Sequence, residues 1–484
     1  MIALAVLSLF FAFSSFAFGC MEGWSIGVCE VLLLGGVALA GWRDRSLWCW
    51  PRRLGLPALF VAALAGVGLL QLVPLPAGLW RACRAERVAI YDEGDKAEAL
   101  LRSDAYRWDA FSSAPAPPAR DASPALTPAA PGWIPASFTP LATVRSLLAL
   151  AAAFCLILLL ERVARDEQRL QKLLFVVGGL GLAVALVALV QYAEPKSKLL
   201  GIRASPFAYR AFGPFVNPNH GEAFVNLTLP LLYYLLWRRS LREAGLGNRW
   251  GLRALMAGIF ILHVVLLAFS HSRGAFLALA LYPLAILGHW AFKGSRAAWT
   301  AVVLYALVLA AGVFFALATG AIFESGRVEL NANVPARHFL IGQGLGSFEA
   351  RFPAVVTDFP LAYTTKVNTH LEDEYLQTFF EAGLLPALLL LAAAGWALVL
   401  ALRGVRLGRA SFWLAPALAG ETAHAAVDFT GHVFPVVGAY LLLWLMLSRL
   451  DAKGEHRGRH HGRADRPSAP LPADAEVVLV GSLR

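Results

Sequence analysis

Two arginines next to apolar segments are the residues of this sequence best suited to binding an anion. Arg210 ends a basic loop, and Arg273 lies in the short turn Ser270–Gly274 between two apolar runs. Arginine at a membrane boundary usually lines a cavity or pairs with an anion, although it also reaches lipid headgroups by snorkelling. We therefore favour an anion site for both arginines, and headgroup contact is the alternative for Arg273.

Two bases, His370 and Glu372, stand just before another long apolar run. Either side chain is able to accept a proton from a hydroxyl group. Farther along, Glu374 and Glu381 fall on one face of a predicted helix. Carboxylates in a first turn are ordinary helix stabilisers, so Glu374 needs no catalytic role. We expect Glu381, which is deeper, to face the interior of the bundle.

A third polar group consists of Glu421, His424 and Asp428, whose spacing places them on one face of a helix. Such a row either joins helices as a polar seam or lines a functional site. The residues themselves favour neither interpretation, and both are kept.

Glycines and asparagines mark the loops beside these groups. No predicted strand precedes the glycine run Gly342–Gly346, so we expect close backbone packing rather than a phosphate-binding loop. Asn217 and Asn219 flank a proline at a predicted helix start, where asparagine caps the helix. The free amides of that helix would point toward Arg210, which outlines an anion site.

The elements that position these residues must be membrane helices. The chain has 484 residues, of which 58% are hydrophobic and 15% charged, and its mean hydropathy is +0.61. One span needs about 20 mostly apolar residues. We predict an all-α integral membrane protein with about twelve transmembrane helices, at residues 2–19, 25–42, 54–72, 143–160, 173–193, 219–237, 254–270, 274–291, 298–320, 375–402, 411–428 and 432–448.

The distribution of basic residues predicts the orientation of these helices. If the N-terminus is cytoplasmic, every short loop on the cytoplasmic side is basic, as the positive-inside rule requires. Both termini are then cytoplasmic, and the long polar stretches 73–142, 194–218 and 321–374 lie outside. The net charge of +10 therefore reflects topology, and the lack of a basic stripe interleaved with aromatics argues against nucleic-acid binding.

Composition divides the chain into six segments. Residues 1–72 contain the first three predicted spans, and we expect the first to be retained rather than cleaved. Residues 73–142 form an extracytoplasmic insertion, whose part from Ser112 to Pro140 is predicted to be extended or disordered. The other segments are spans four to nine at 143–320, a large extracytoplasmic loop at 321–374, spans ten to twelve at 375–450, and a disordered cytoplasmic tail at 451–484.

The five cysteines are scattered along the chain and lack the spacing of metal ligands. They are Cys20, Cys29, Cys49, Cys83 and Cys155. We therefore expect neither a structural disulfide nor a metal site. The tail also contains histidines, to which we assign no metal.

Five pieces of sequence, in this order, resemble the O-antigen ligase and polymerase superfamily of bacterial envelope glycosyltransferases. They are Arg210–Asn219 (RAFGPFVNPN), Ser272–Ala275 (SRGA), Gly342–Phe348 (GQGLGSF), Glu372–Gln377 (EDEYLQ) with Glu381–Gly383 (EAG), and Ala423–Phe429 (AHAAVDF). Each motif is loose alone, but together, on twelve predicted spans with a large loop before the tenth, they are fairly specific. The likeness is concentrated in residues 200–435.

The resemblance implies transfer of a glycan from an undecaprenyl-pyrophosphate carrier to an acceptor hydroxyl, on the outer face of the bacterial inner membrane. It implies no metal or other cofactor. Arg210 and Arg273 match arginines thought to hold the pyrophosphate, whose developing charge needs fixed cations in a low-dielectric pocket. Glu372 or His370 would be the base in a catalytic loop. The implied partners are a lipid-linked oligosaccharide donor, a glycan, glycolipid or protein acceptor, and the lipid bilayer.

Two features of the large loop differ from the ligases. The ligases have a histidine where this chain has Glu372, which is more typical of generic and polymerase-like members, so ligase and polymerase activity both stay open. The stretch from Arg327 to Arg337 is shorter than usual and lacks a tryptophan. Candidate glycan or acceptor contacts are Arg327, Arg337, Asn217, Asn219, His424 and Asp428.

The alternative class is a polytopic transporter, for instance a flippase of lipid-linked oligosaccharide. Such proteins usually have internal repeats and charges near the middle of the membrane. No clear repeat is found in this sequence, and its polar residues are concentrated at the outer boundary, although Glu381 and Glu421 would suit a transporter. A non-catalytic scaffold would leave the outer arginines without a function, so we favour the glycosyltransferase.

Overall fold

A computed structural model describes the chain mainly as helices, over residues 1–83, 132–193, 198–204, 212–243, 245–270, 273–318, 340–355, 370, 373–408, 411–426 and 428–464. The helices are α1 (Ile2–Phe16), α2 (Gly23–Arg43), α3 (Gly55–Leu72), α4 (Ala77–Cys83), α5 (Pro140–Ala164), α6 (Glu167–Ala193), α7 (Pro218–Ser240), α8 (Leu246–Ser270), α9 (Arg273–Phe292), α10 (Arg296–Ala318), α11 (Phe348–Val355), α12 (Glu374–Ala382), α13 (Leu384–Leu407), α14 (Ala415–His424) and α15 (Phe434–Ala464). Two short antiparallel pairs accompany them, β1 (Pro74–Pro76) with β2 (Trp133–Pro135) and β3 (Lys198–Leu199) with β4 (Arg203–Ala204).

Seven of the described helices are long and apolar enough to cross a membrane, namely α2, α3, α5, α6, α8, α13 and α15. Shorter apolar stretches occur in α1, α9 and α10. These helices indicate a multi-pass, all-α membrane protein. Twelve complete spans stay a prediction.

Two of the predicted spans are not continuous helices. The run 375–402 is divided at Gly383, whose φ of 89° ends α12 and begins α13. Glycine adopts a positive φ without steric cost, so a single residue, Gly383, is enough to divide the two helices. The run 411–428 consists of a short turn, Ser411–Trp413, and α14, whose 10 residues extend only about 15 Å. That length is half of a bilayer core, so α14 alone does not span one.

The interior of the bundle is formed by α1, α5, α6, α7 and α15. Trp444 and Tyr233 are fully buried there, at 1% and 0% exposed. Close contact between α6 and α7 depends on a missing side chain, because a Cβ on Gly181 would come within 2.0 Å of Thr228 Oγ1. Many leucines on the outer helices remain exposed, as is expected of side chains that face lipid.

Loops that the charge pattern assigns to the cytoplasmic side meet at one end of the bundle, which we call the arginine end. Arg162 Nε lies 2.6 Å from Asp44 Oδ2. Arg238 Nη1 lies 2.8 Å from Glu167 Oε1. The two pairs join the loop after α2, the turn between α5 and α6, and the end of α7, so loops assigned to one side do lie together.

Loops assigned to the extracytoplasmic side meet at the other end, which we call the loop end. Phe138 N–H donates to the Gln343 carbonyl at 3.0 Å, and Ser137 N–H donates to the Gln71 carbonyl at 2.8 Å. These bonds join the end of α3, the start of α5 and the glycine run. The described contacts therefore agree with the predicted alternation of loops, while the membrane face of each end stays a prediction.

Both described margins of the 73–142 insertion are folded. The short helix α4 lies at the first margin, and its Trp80 donates from Nε1 to the Ile134 carbonyl at 2.7 Å. Ile134 is 0% exposed. Trp133–Pro135 form the extended strand β2, which agrees with the predicted extended conformation, and Pro140 already begins α5.

The first part of the tail that was predicted to be disordered, residues 451–464, is helical in the structure. Helix α15 continues to Ala464, well beyond the predicted end of the last span. Lysine, glutamate and arginine are good helix formers, and the next proline is Pro467, so the local sequence does not stop the helix. Residues 465–484 lie outside the described residues.

Candidate functional site

A group of histidines surrounds one carboxylate and one phenyl ring at the loop end. We call it the histidine cluster: His220, His370, His424, His432, Asp428 and Phe429. Its members come from the start of α7, the segment before α12, the last residue of α14 and the chain between α14 and α15. The fold thus brings together residues that are more than 200 positions apart in the sequence.

The cap of α7 places the first histidine. Asn217 is the N-cap residue, and its Oδ1 accepts from Asn219 N–H at 3.0 Å, which confirms the expected role of an asparagine at this helix start. His220 lies one turn later and is 0% exposed. Its Nε2 is 3.3 Å from Asn217 Nδ2. Its Nδ1 has no hydrogen-bond partner among the described residues, which leaves one ring nitrogen for a ligand or water.

Asp428 joins two of the histidines. Its Oδ1 lies 3.4 Å from His220 Nε2, and its Oδ2 lies 3.5 Å from His424 Nε2. On the other side of His424, Nδ1 lies 3.5 Å from Glu421 Oε2. All four side chains are buried, and none exceeds 6% exposure. The predicted row of Glu421, His424 and Asp428 is therefore a contiguous, buried pair of carboxylates that lie at ion-pair distance on either side of an imidazole.

Phe429 connects this buried row to His370. The rings of His370 and Phe429 are stacked, with centroids 4.5 Å apart and planes inclined by 4°. His220 meets the same phenyl ring edge-on at 4.7 Å. The ring centroid of His432 lies 4.6 Å from that of His370, and Nδ1 of His432 is 3.2 Å from a carboxylate oxygen of Glu374. The apolar Phe429 ring and the neighbouring imidazoles are the surroundings that determine the protonation state of His370.

Burial and, to a smaller extent, the neighbouring His432 and His220 together lower the pKa of His370 to about 2, against a smaller opposing effect of Asp428. The imidazole is therefore neutral at physiological pH. A neutral ring is able to position a hydroxyl group by hydrogen bonding, but so low a pKa makes it a weak general base.

The pKa of His370 gives the protein a pH-dependent stability of defined sign. Because the pKa falls from the ordinary 6.5 to about 2, acid protonates this residue in the unfolded chain before it does so in the folded chain. The contribution is present above about pH 6.5 and declines by about 1.4 kcal/mol between about pH 7.5 and about pH 5.5. We expect acidification to lower the thermal unfolding midpoint in detergent more for the wild type than for His370→Gln.

The comparison of these two proteins is the measurement, because the neighbours that face His370, namely His220, His432 and Asp428, are the same in both. Glutamine keeps a polar side chain of similar length but has no proton to gain in this range. Parallel pH profiles for the two proteins would show that His370 is not held neutral by its surroundings.

The glycine run is held by backbone contacts, which confirms the predicted close packing. Gly342, Gly344 and Gly346 all have positive φ, at 78°, 118° and 71°. A Cβ on Gly342 would lie 2.3 Å from the Glu381 carbonyl oxygen, and one on Gly344 would lie 2.5 Å from Ser137 Oγ. Only glycine fits such positions, because both the conformation and the space exclude a side chain.

Glu381 and Gln71 secure the same run through side-chain hydrogen bonds. The Glu381 carboxylate accepts from Gly346 N–H at 2.8 Å and from Phe348 N–H at 3.1 Å. Gln71 Oε1 accepts from Leu345 N–H at 3.0 Å, while its Nε2 donates to the Glu381 carbonyl at 2.9 Å. Glu381 is 5% exposed, so the expectation that it faces the interior is confirmed, and its contacts are structural.

Helix α9 begins at the same end as the histidine cluster. A Cβ on Gly420 of α14 would lie 2.6 Å from Ala278 Cβ of α9. Farther from the loop end, Phe260 contacts both Tyr282 and Trp413, with centroids 5.9 and 6.5 Å away. The two helices therefore run side by side in opposite directions, and the backbone of Arg273 lies at the end of α9 that is near His424. The side chain of Arg273 lies outside the described residues.

The other predicted site residues divide into two groups. Of the described ones, His370, His424, Asp428 and Asn217 lie in or against the histidine cluster, while Asn219 contributes its backbone N–H to the helix cap. Arg210, Arg327, Arg337 and Glu372 lie outside the described residues. Among the described residues no group of three histidine, cysteine or acidic side chains has the arrangement of a metal site.

Sequence reasoning did not assign roles to three members of the cluster, His220, Phe429 and His432. One signal was available for His220, because it follows a helix cap by one turn beside a motif already selected. Phe429 and His432 follow the polar row in a short turn, but their stacking with His370 depends on a contact between distant segments.

No protein-family model matches this chain, and a search of curated proteins finds no significant relative. The fold and the site therefore define its class by themselves. It is an α-helical, multi-pass membrane protein with a buried cluster of imidazoles and carboxylates at one end of the bundle.

Proposed function

We propose that this protein is a glycosyltransferase of the bacterial inner membrane, of the O-antigen ligase or polymerase type, acting on an undecaprenyl-pyrophosphate-linked oligosaccharide. The observation that supports the proposal most is the convergence of three separate motif segments at the loop end. The side chains that meet there are His220, one residue after the first motif, His370, two residues before the fourth, and Asp428 in the fifth. Helix α9, whose first residue is Arg273, begins at the same end.

The proposed reaction is a single displacement at the anomeric carbon of the donor sugar. The acceptor oxygen forms the new glycosidic bond while the bond from that carbon to the pyrophosphate oxygen breaks, which inverts the configuration. Arg210 and Arg273 would stabilise the charge that develops on the leaving pyrophosphate. No metal ion takes part in this scheme.

The acceptor hydroxyl must also lose its proton. Glu372 and His370 are the two candidate acceptors, and the lowered pKa of His370 favours Glu372. We therefore assign proton abstraction to Glu372, and to His370 the positioning of the acceptor. The carboxylate of Asp428 would hold the rings of His220 and His424 in fixed orientation next to the proposed acceptor site.

We expect Arg273→Ala to abolish glycan transfer. If this guanidinium holds the diphosphate, its loss removes transition-state stabilisation of about 100-fold or more in rate. The measurement is surface polysaccharide in a strain that carries only the variant, with the amount of membrane-inserted protein determined in parallel.

Arg296→Ala is the matched control. Arg296 also begins a helix, α10, but it lies at the arginine end, seven residues after His289, whose Nδ1 lies 2.9 Å from the Val405 carbonyl. We expect it to leave transfer nearly unchanged. Normal polysaccharide from Arg273→Ala, at normal protein level, would contradict the proposal.

The transporter or flippase remains the alternative, and the structure removes one of its supports. Glu381 is satisfied by two backbone N–H groups, which is the position of a structural residue rather than of a cation-coupling site. Transport of labelled lipid-linked oligosaccharide into liposomes, without glycan transfer in detergent, would favour the alternative.

A further inference from the structure

Two buried sulfur atoms lie almost within bonding distance where α1 turns into α2. Cys20 Sγ is 3.2 Å from Cys29 Sγ, and the two residues are 1% and 0% exposed. A disulfide bond is about 2.05 Å long, so the sulfur atoms need to approach each other by only about 1 Å. The positions of the cysteines in the sequence gave no indication of this contact.

The backbone before Cys20 adopts an uncommon conformation that directs its side chain toward α2. Three consecutive residues, Phe18, Gly19 and Cys20, have φ values of 57°, 69° and 56°. This left-handed region is unfavourable for residues with a Cβ and persists only where other contacts hold it. A covalent bond between Cys20 and Cys29 would be such a contact.

We propose that Cys20 and Cys29 form a disulfide that staples the turn between α1 and α2. The reaction is thiol–disulfide exchange with an external protein or small-molecule disulfide. One cysteine thiolate attacks the oxidant and releases a thiol, and the other cysteine then attacks the mixed disulfide and releases the second thiol. Two protein thiols are oxidised, the external disulfide is reduced to two thiols, and the two protons pass to those products.

The turn lies at the loop end, where disulfides would be expected to persist if that end faces an oxidising compartment. Its position is fixed by Phe215, because a Cβ on Gly19 would come within 2.4 Å of the Phe215 ring. Phe215 is fully buried and precedes the helix cap Asn217 by two residues. The staple therefore supports the start of α7 and the position of His220. The disulfide itself is independent of the proposed glycosyltransferase activity.

Counting free thiols in the full-length protein tests this proposal. In a variant with Cys49, Cys83 and Cys155 replaced by serine, Cys20 and Cys29 are the remaining cysteines. The protein is purified in detergent without reductant, unfolded in dodecyl sulfate and treated with a maleimide polymer. We expect no label before reduction and two labels after it.

The matched control adds Cys29→Ser to the same variant, and it should accept one label under both conditions. In the wild type, chymotryptic cleavage after Trp24 separates the two cysteines, so a linked pair of peptides identifies the bond directly. Because both sulfurs are buried, we also expect reductant to act only after unfolding. Two labels without reduction, or linkage between two protein molecules, would overturn the proposal.

Discussion

Replacement of Asp428 by asparagine is expected to destabilise the folded protein by about 3–5 kcal/mol, because it removes the charged partner of two buried side chains. The carboxylate lies 3.4 Å from His220 Nε2 and 3.5 Å from His424 Nε2, and all three side chains are at most 3% exposed. Asparagine has nearly the same shape, so the change reports the charge rather than a cavity. The midpoint of thermal unfolding in detergent measures the effect.

We also expect Asp428→Asn to reduce glycan transfer. Without its carboxylate partner the His220 ring loses its fixed orientation beside Phe429 and His370, so we expect surface polysaccharide to fall sharply even where folded protein remains. Normalising the product to membrane-inserted protein separates this effect from the loss of stability.

Asp451→Asn is the matched control. Asp451 also accepts from a basic side chain, with Oδ2 at 2.8 Å from Arg403 Nη1, but this pair is at the arginine end and its arginine is 42% exposed. A solvent-exposed pair contributes at most about 1 kcal/mol. Equal losses of stability in the two variants would mean that the Asp428 contacts are no stronger than a surface ion pair.

A methyl group added at Gly342 is expected to detach the glycine run from α12. The new Cβ would lie 2.3 Å from the Glu381 carbonyl oxygen and 2.6 Å from its carbonyl carbon, and backbone atoms cannot move aside as a side chain can. The φ of 78° is also strained for alanine. With the hydrogen bonds from Gln343 N–H and Gly344 N–H to α12 lost as well, we expect destabilisation by about 3–5 kcal/mol.

Gly342→Ala should also reduce glycan transfer, because the glycine run lies within the large loop 321–374 that contains the candidate bases. Gly66→Ala provides the control, since Gly66 is an exposed residue of α3 with no atom within 4 Å of an added Cβ. Alanine is the better helix former, so this variant should be as stable as the wild type or up to about 1 kcal/mol more stable. If both variants unfold at the wild-type midpoint, the steric argument for Gly342 is wrong.

The positions of the helices and the grouping of the loops could be predicted from the sequence. Apolar runs of membrane length and basic short loops are local properties, so they identify elements without knowledge of the fold. The cap at Asn217 and the close backbone packing of the glycine run were predicted for the same reason, and both are found. Local signals failed where a single residue changed the path of the chain, as at Gly383.

The contacts between distant segments were decided by the tertiary structure. Nothing in the local sequence indicates that His220 would meet Asp428, that Phe429 would stack on His370, or that Cys20 would face Cys29. Many leucine-rich helices have nearly equivalent apolar surfaces, so hydropathy does not specify which of them are neighbours. Side-chain packing, small residues such as Gly181 and Gly420, and the satisfaction of buried polar groups select one arrangement, and that arrangement brings the imidazoles and carboxylates together.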